Sequence, residues 1–334
     1  MQHDRIEIKP SMRSVVHRHY GPATELEIQD IVRPECGPDE VLVAVRSVSV
    51  NPYDWHNMTG TPLPVRMSGG WLRPKVSQLG VDLAGVVERV GTNVSRFETG
   101  DRVYGFADGC FAEFVCAKES ELMPMPDGVS YDEAAAVPVA ALTAFQGLVK
   151  HCGVETNQHV LINGASGGVG TFAVQIAKSL GAEVTGVCGT ANGDLVKGLG
   201  ADHVIDYSEA DFTQNENTYD VVLDNIGNKR MSQYKNCLKQ SGSYVVVGGP
   251  KGFFLGALAH MLKALLAFKF SKPRAVVFIA QRTQEDLREL TECLANGTLK
   301  PVIDRTYPFD EIMDAIAHLE TGRARGKIIV RIAE

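Results

Sequence analysis

Asn157-Gln-His-Val-Leu-Ile-Asn-Gly-Ala-Ser-Gly-Gly-Val-Gly170 is the stretch whose residue types and spacing point most directly to a chemistry. A short apolar run enters a glycine-rich turn, and Thr171–Leu180 then reads as a helix closed by Gly181. Such a turn suits a dinucleotide pyrophosphate. Gly167 lets the backbone approach it, and Gly170 lets helix and strand pack tightly. The amides of Ser166, Gly167, Gly168, Val169 and Gly170 lie at the positive end of the helix dipole. Ala165 stands where the G-x-G-x-x-G pattern has its first glycine. The pattern alone also fits a plain strand–helix turn. The strand before it, the helix after it and a second apolar run at Glu183–Cys188 favour the nucleotide site.

The second strand should end near the adenosine ribose, where an acidic residue would bind the 2′-hydroxyl of NAD. Here the chain reads Val187-Cys-Gly-Thr-Ala-Asn192, with no carboxylate. Gly189, Thr190 and Asn192 leave room for a 2′-phosphate, so NADP(H) is expected over NAD(H). No arginine stands there to neutralise the phosphate, and Lys197 and Tyr207 are the nearest candidates. Asp194 is expected to cap the next helix rather than bind ribose.

Two kinds of element must hold this site. The first ~125 residues carry short β-branched runs at Glu40–Val50, Gly85–Gly91, Gly100–Gly105 and Phe111–Cys116, which predict a small barrel-like β domain. After Met123–Gly128, Ser130 and Glu133 have capping-box spacing before an alanine-rich helix. Strands predicted at His159–Asn163, Glu183–Cys188, His203–Ile205, Val221–Asp224, Ser243–Val247 and Ala275–Ala280 then alternate with helices, as in a parallel sheet. The run Gly326–Ile332 predicts a last strand returning to the first domain.

The net charge of −7 argues against a nucleic-acid partner. Seven cysteines without paired spacing, and no apolar core at the N-terminus, predict a reducing, cytoplasmic setting. Phe253–Phe270 is apolar but broken by His260, Lys263 and Lys269. It is expected to be a buried or cleft-lining helix, not a membrane span; a surface or partner-docking helix is the alternative.

Taken together, these motifs resemble the medium-chain dehydrogenase/reductase superfamily, in its zinc-independent quinone-oxidoreductase (ζ-crystallin-like) branch. Ser47–Trp55, Gly80–Gly91, Phe97–Gly105, Ala141–Phe145, the glycine turn, Gln175–Lys178 and Gly200–Tyr207 carry the resemblance in family order over nearly the whole chain. It implies an α/β chain: a GroES-like β-barrel domain at 1–126 and 299–334, and a doubly wound Rossmann domain at 127–298. About 11 N-terminal residues look like an added tail. Asp82 follows Gly80-Val81, so the Gly-His-Glu motif of zinc-dependent relatives is absent, and no metal is expected.

The resemblance also implies that Asn51 and Thr143 line the nicotinamide end. Thr143 would bond the carboxamide, or merely bond back within its helix. Asn225 would reach the nicotinamide ribose or close a turn, and Gly248 would bring backbone amides near the cofactor. Tyr207 would pack by the adenine or 2′-phosphate, or be a surface aromatic. His56 stands where relatives carry tyrosine or lysine. His56 and Tyr53 are candidates for proton donation or oxyanion stabilisation, or for pocket wall only.

The expected activity is NADPH-dependent, metal-free hydride transfer to an electrophilic small molecule: a quinone, an enone or an aldehyde. Alkenal/enone double-bond reduction or metal-free alcohol/aldehyde oxidoreduction is the near alternative, and a non-catalytic, nucleotide-dependent binding protein the distant one. A homodimer paired through the Ala275–Ala280 edge is expected.

Overall fold

The computed structural model describes residues 10–249 and 256–333. Most of the expected N-terminal tail, Pro250 and the start of the Phe253–Phe270 stretch lie outside the described residues.

Six parallel strands form one sheet: β8 (His159–Asn163), β9 (Glu183–Cys188), β10 (His203–Asp206), β11 (Tyr219–Asp224), β12 (Leu238–Val246) and β13 (Arg274–Val277). Their order is β10-β9-β8-β11-β12-β13, a doubly wound arrangement whose direction reverses beside β8. The central strands are apolar runs because helices cover both faces of a parallel sheet: Val160, Leu161, Ile162, Val222 and Leu223 are fully buried. Six of its helices are α3 (Tyr131–Ala136), α4 (Pro138–Phe145), α5 (Gly168–Ser179), α6 (Gly193–Gly198), α7 (Met231–Cys237) and α8 (Gly256–Phe268), and a seventh is α9 (Gln284–Ala295).

Seven other strands form a second sheet: β3 (Glu40–Val50), β4 (Asp82–Val90), β5 (Arg102–Phe106), β6 (Phe114–Lys118), β7 (Leu122–Pro124), β14 (Ile303–Pro308) and β15 (Lys327–Arg331). The 11-residue β3 organises it. Its first half pairs with β6, its second half with β15, and β4 runs along its other edge with register breaks after Leu42 and Val45. Such breaks bend a strand and curl its sheet. A hairpin-like pair, β1 (Ser11–Val16) and β2 (Glu27–Val32), packs alongside, with helices α1 (Pro52–Thr59), α2 (Pro64–Gly69) and α10 (Ile312–Thr321). The chain thus has the α/β fold expected from the sequence, with a curled, mostly antiparallel sheet and a doubly wound parallel sheet.

The capping box at the start of α3 is formed, with Ser130 Oγ accepting from the Glu133 amide and the Glu133 carboxylate accepting from the Ser130 amide. The expectation for Asp194 needs correction. Asn192 occupies the cap position of α6, without a side-chain cap bond, and Asp194 lies in the first turn.

The cysteine reading is also corrected. Cys36 and Cys116 form a disulfide with their Cα atoms 5.5 Å apart. Antiparallel pairing sets Cys116 opposite Leu42, and the turn leading into β3 brings Cys36 back to it. A separation of 80 residues hid that meeting. The other five cysteines are free thiols.

Candidate active site

The glycine turn lies between the two sheets. Gly167 is the N-cap of α5 with no side chain bonded over the helix end, so the first amides of the helix are left without intrahelical acceptors. The glycines differ in purpose. A Cβ on Gly167 would find its nearest neighbour at 3.5 Å, whereas one on Gly170 would stand 2.1 Å from the Gly164 carbonyl oxygen. Gly167 is open toward the space a ligand would occupy, and Gly170 is a packing contact. The neighbouring Gly168 faces the other sheet, where a Cβ would meet Lys327 Cδ at 3.2 Å. Ser166 ties the turn to that sheet by accepting from the Gly326 amide at 2.9 Å. Val169 is half-buried in the first turn of α5.

At the end of β9 the structure gathers Gly189, Thr190, Asn192 and Tyr207. Asn192 Nδ2 donates to Ser166 Oγ at 3.1 Å, while its Oδ1 is buried without a partner. The Tyr207 ring lies over Gly189, whose added Cβ would meet the hydroxyl at 3.0 Å; the tyrosine is nevertheless two-thirds exposed. Sequence reading missed Asp206. Parallel pairing sets it beside Cys188, and its carboxylate bonds Thr190 and the amide and hydroxyl of Ser208, which hold it below its usual pKa. The acid beside Thr190 at the end of β9 thus comes from β10. On the other side of β8, Asn225 Nδ2 donates to the Asn163 carbonyl at 3.0 Å and closes the turn, leaving a buried, unpartnered Oδ1. Gly248 is pressed against that turn; a Cβ there would lie 2.0 Å from the Asn225 oxygen.

Beneath the glycine turn lies a polar network that the sequence reading did not find. Lys327, the first residue of β15, is 4% exposed, and its ammonium donates to Asn51 Oδ1 and lies 3.5 Å from Asp82 Oδ2. Asn51 Nδ2 donates to Asp82 Oδ2 at 2.9 Å and to the Ser49 carbonyl at 3.3 Å, and its backbone amide donates to Asp54 Oδ2 at 2.8 Å. Ser49 Oγ donates to the same Asp82 oxygen, and the Val139 amide donates to the other. Asn51 has therefore spent both amide hydrogens, and its side chain also takes part in the capping box that opens α1. The signal in the sequence was a lysine heading the apolar run Ile328–Val330 of β15.

Burial dominates the electrostatics here. It pushes the Asp54 carboxyl up to about 7, with Asp82 adding to the rise and the Asn51 amide and Lys327 opposing it. Burial also lowers the Lys327 ammonium, against the pull of Asp82 and Asp54. Thr143 joins the network indirectly: its hydroxyl donates to the Val139 carbonyl at 2.7 Å, so it can only accept from a ligand. The back-bonded alternative for Thr143 is thus the conformation present.

His56 sits in the last turn of α1 with Nδ1 2.5 Å from the Thr61 carbonyl, which makes Nδ1 the protonated nitrogen. Burial lowers its pKa, with the Thr61 bond opposing, so near neutral pH the ring is uncharged and Nε2 accepts. Tyr53 is about half exposed on α1. Trp71 is 62% exposed beyond α2. Among the described residues, Cys36, Glu40 and Cys116 make the one cluster of three close metal-type ligand atoms, and two of these are the disulfide sulfurs. No helix among those residues is long and apolar enough to cross a membrane.

Comparison with known proteins agrees with this architecture. Residues 37–127 match the alcohol dehydrogenase GroES-like domain family, and residues 199–330 the family described as zinc-binding dehydrogenase. The chain is 31% identical to the 2-methylene-furan-3-one reductase of Solanum lycopersicum, over 97% of this chain and 80% of that protein. It is 32% identical to the chloroplastic quinone-oxidoreductase homolog of Spinacia oleracea, over 96% and 98% of the two chains. The solved quinone oxidoreductase of Coxiella burnetii superposes with a TM-score of 0.84 at 28% identity, covering 97% of this chain and all of that one. The chain belongs to the medium-chain dehydrogenase/reductase superfamily, as an oxidoreductase with quinone-oxidoreductase relatives.

Proposed function

We propose that the protein is an NADPH-dependent reductase of quinones or α,β-unsaturated carbonyls that works without a metal. The observation that carries this reading is the buried Lys327–Asn51–Asp82 network directly below the glycine turn. A dinucleotide fits the residues around it. Uncapped amides at Gly168–Gly170 suit a pyrophosphate, and the orphaned Oδ1 atoms of Asn192 and Asn225 suit ribose hydroxyls. Gly189, Thr190 and Tyr207 would surround the adenosine end, and Gly248 with Thr143 the nicotinamide end. When bound, the reduced nicotinamide supplies the hydride.

The remaining work falls to the chain's own side chains. Lys327 holds Asn51 Oδ1, fixes the amide's orientation and places a positive charge between the phosphate turn and the substrate cavity. Thr143, with its proton committed to Val139, accepts from the carboxamide. The proton for the substrate oxygen comes from water, which the neutral His56 accepts and orients through Nε2, and Tyr53 flanks the opening. Val81 and Asp82 stand where the Gly-His-Glu motif has its histidine and glutamate, and Asp82 is saturated by Ser49, Asn51 and Val139, which favours the metal-free reading. We assign 1–126 with 299–334, and 127–298, as the two domains, with a homodimer formed at the free edge of β13.

The experiment is nicotinamide oxidation with purified protein over a panel of quinones, enones and aldehydes, with NADPH and NADH in parallel and with a chelator. Turnover of a quinone or enone with NADPH, indifferent to the chelator, is the expected result. Nucleotide binding without turnover of any acceptor, or loss of activity on chelation, would overturn the reading. The relationship to an enone-type reductase favours including exocyclic enones in the panel.

A further inference from the structure

Helix α8 presents two unlike faces. His260, Ala264 and Phe268 are buried, and His260 Nε2 and the Tyr244 hydroxyl share a hydrogen bond at 2.7 Å. On the opposite face Leu258, Leu262, Leu265 and Leu266 follow helical spacing and are 39%, 56%, 48% and 63% exposed. Phe270, just beyond the helix, is 93% exposed. Four neighbouring large aliphatic side chains in water are an interaction surface rather than scattered exposure.

Charge says what covers it. Between residues 225 and 284 the sequence holds ten Lys or Arg and no Asp or Glu, so the rest of the chain carries −17 of the net −7. Several of those cations frame α8. Lys263 and Lys269 are exposed beside the leucines, and Lys235 lies over the Phe268 ring at 5.3 Å. Lys272 donates to Gln240, and Arg274 to Ser243 and the His151 carbonyl. None of these five forms an ion pair with a carboxylate among the described residues. A second copy of the chain is a poor occupant, because two-fold pairing of this face would set lysines against lysines.

We propose that the exposed face of α8 docks on an anionic lipid surface. The leucines would enter the headgroup–acyl boundary while Lys263, Lys269 and Lys272 meet lipid phosphates and carboxylates. The acidic remainder of the chain is repelled by the same surface, so docking also orients the molecule. This does not depend on the reductase reading.

The test is co-sedimentation of the full chain with phosphatidylcholine vesicles and with phosphatidylcholine–phosphatidylserine vesicles, at low and high salt. The chain should sediment with the mixed vesicles only, and salt should release it. Lys263→Gln should lower the partition coefficient about fivefold, and Lys263→Gln with Lys269→Gln about 25-fold. Leu262→Asp should remove binding while the melting temperature and vesicle-free turnover stay unchanged. No sedimentation, equal sedimentation with both vesicles, or vesicle binding that survives Leu262→Asp would overturn the proposal. So would a Leu262→Asp variant that breaks an oligomer into monomers when the parent chain binds no vesicle, since a second copy would then be the occupant.

Discussion

The glycine turn and the lysine network lie against each other but are built in opposite ways. The turn is made of backbone from one short stretch, residues 164–170, and offers the amides at the start of α5 that no side chain caps. The network is made of side chains from β3, β4, α1 and β15, spans 276 residues between Asn51 and Lys327, and works because nearly every group is bonded. A site that grips phosphates gains from vacant amides in any member of its kind. A buried charge is tolerable only when its partners are complete. The first arrangement should therefore fail by crowding and the second by subtraction.

The largest effect should come from subtraction. Lys327→Met leaves Asp82 buried beside Asn51 without its cation and should cost about 3–5 kcal/mol of stability, read by denaturant unfolding. Adding Asp82→Asn to it should return about half of that loss. If the single change is silent, the network is ornamental and the contrast fails.

Crowding comes next. Gly170→Ala forces a Cβ against the Gly164 oxygen and should destabilise the turn by about 3 kcal/mol. Gly167→Ala meets nothing closer than 3.5 Å, so it should keep the fold but weaken NADPH binding about tenfold by calorimetry. Equal effects of the two on stability would erase the distinction between packing and open glycines.

A smaller effect concerns pH. The folded-state pKa of Asp54, about 7, lies above the ordinary 3.8, so the native state holds the proton more tightly. Stability therefore falls as pH rises through that interval and levels off above it. Asp54→Asn keeps an acceptor for the Asn51 amide, removes this slope and should raise the melting temperature by about 2 °C on the alkaline side. The smallest effect is at the ribose end. Asp206→Asn removes the acid beside Thr190 and should raise the NADPH-to-NADH preference about threefold in kcat/KM, roughly the scale of one screened surface charge.

Legibility in the sequence followed the same division. β8 and β9 were readable to the residue, because their signals are local buried apolar runs, while α5 begins at Gly168, three residues before the expected Thr171. β13 was read three residues too long at its end, since an edge strand lacks the two-sided burial that marks its neighbours. Lys327, Asp206 and the Cys36–Cys116 bond were missed because strand pairing, not spacing, brings their partners together. His56 was found by type, but the nitrogen carrying its proton was set by the Thr61 carbonyl, reached through the turn after α1.

Adjacent residues of β15 have two separate duties: the Gly326 amide is fastened to Ser166 in the nucleotide turn, and Lys327 reaches down to Asn51. A rigid peptide link joins the latch to the cation. Loosening either contact would therefore act on the other through a single peptide unit, so the seating of the nucleotide turn and the placing of the positive charge are mechanically joined.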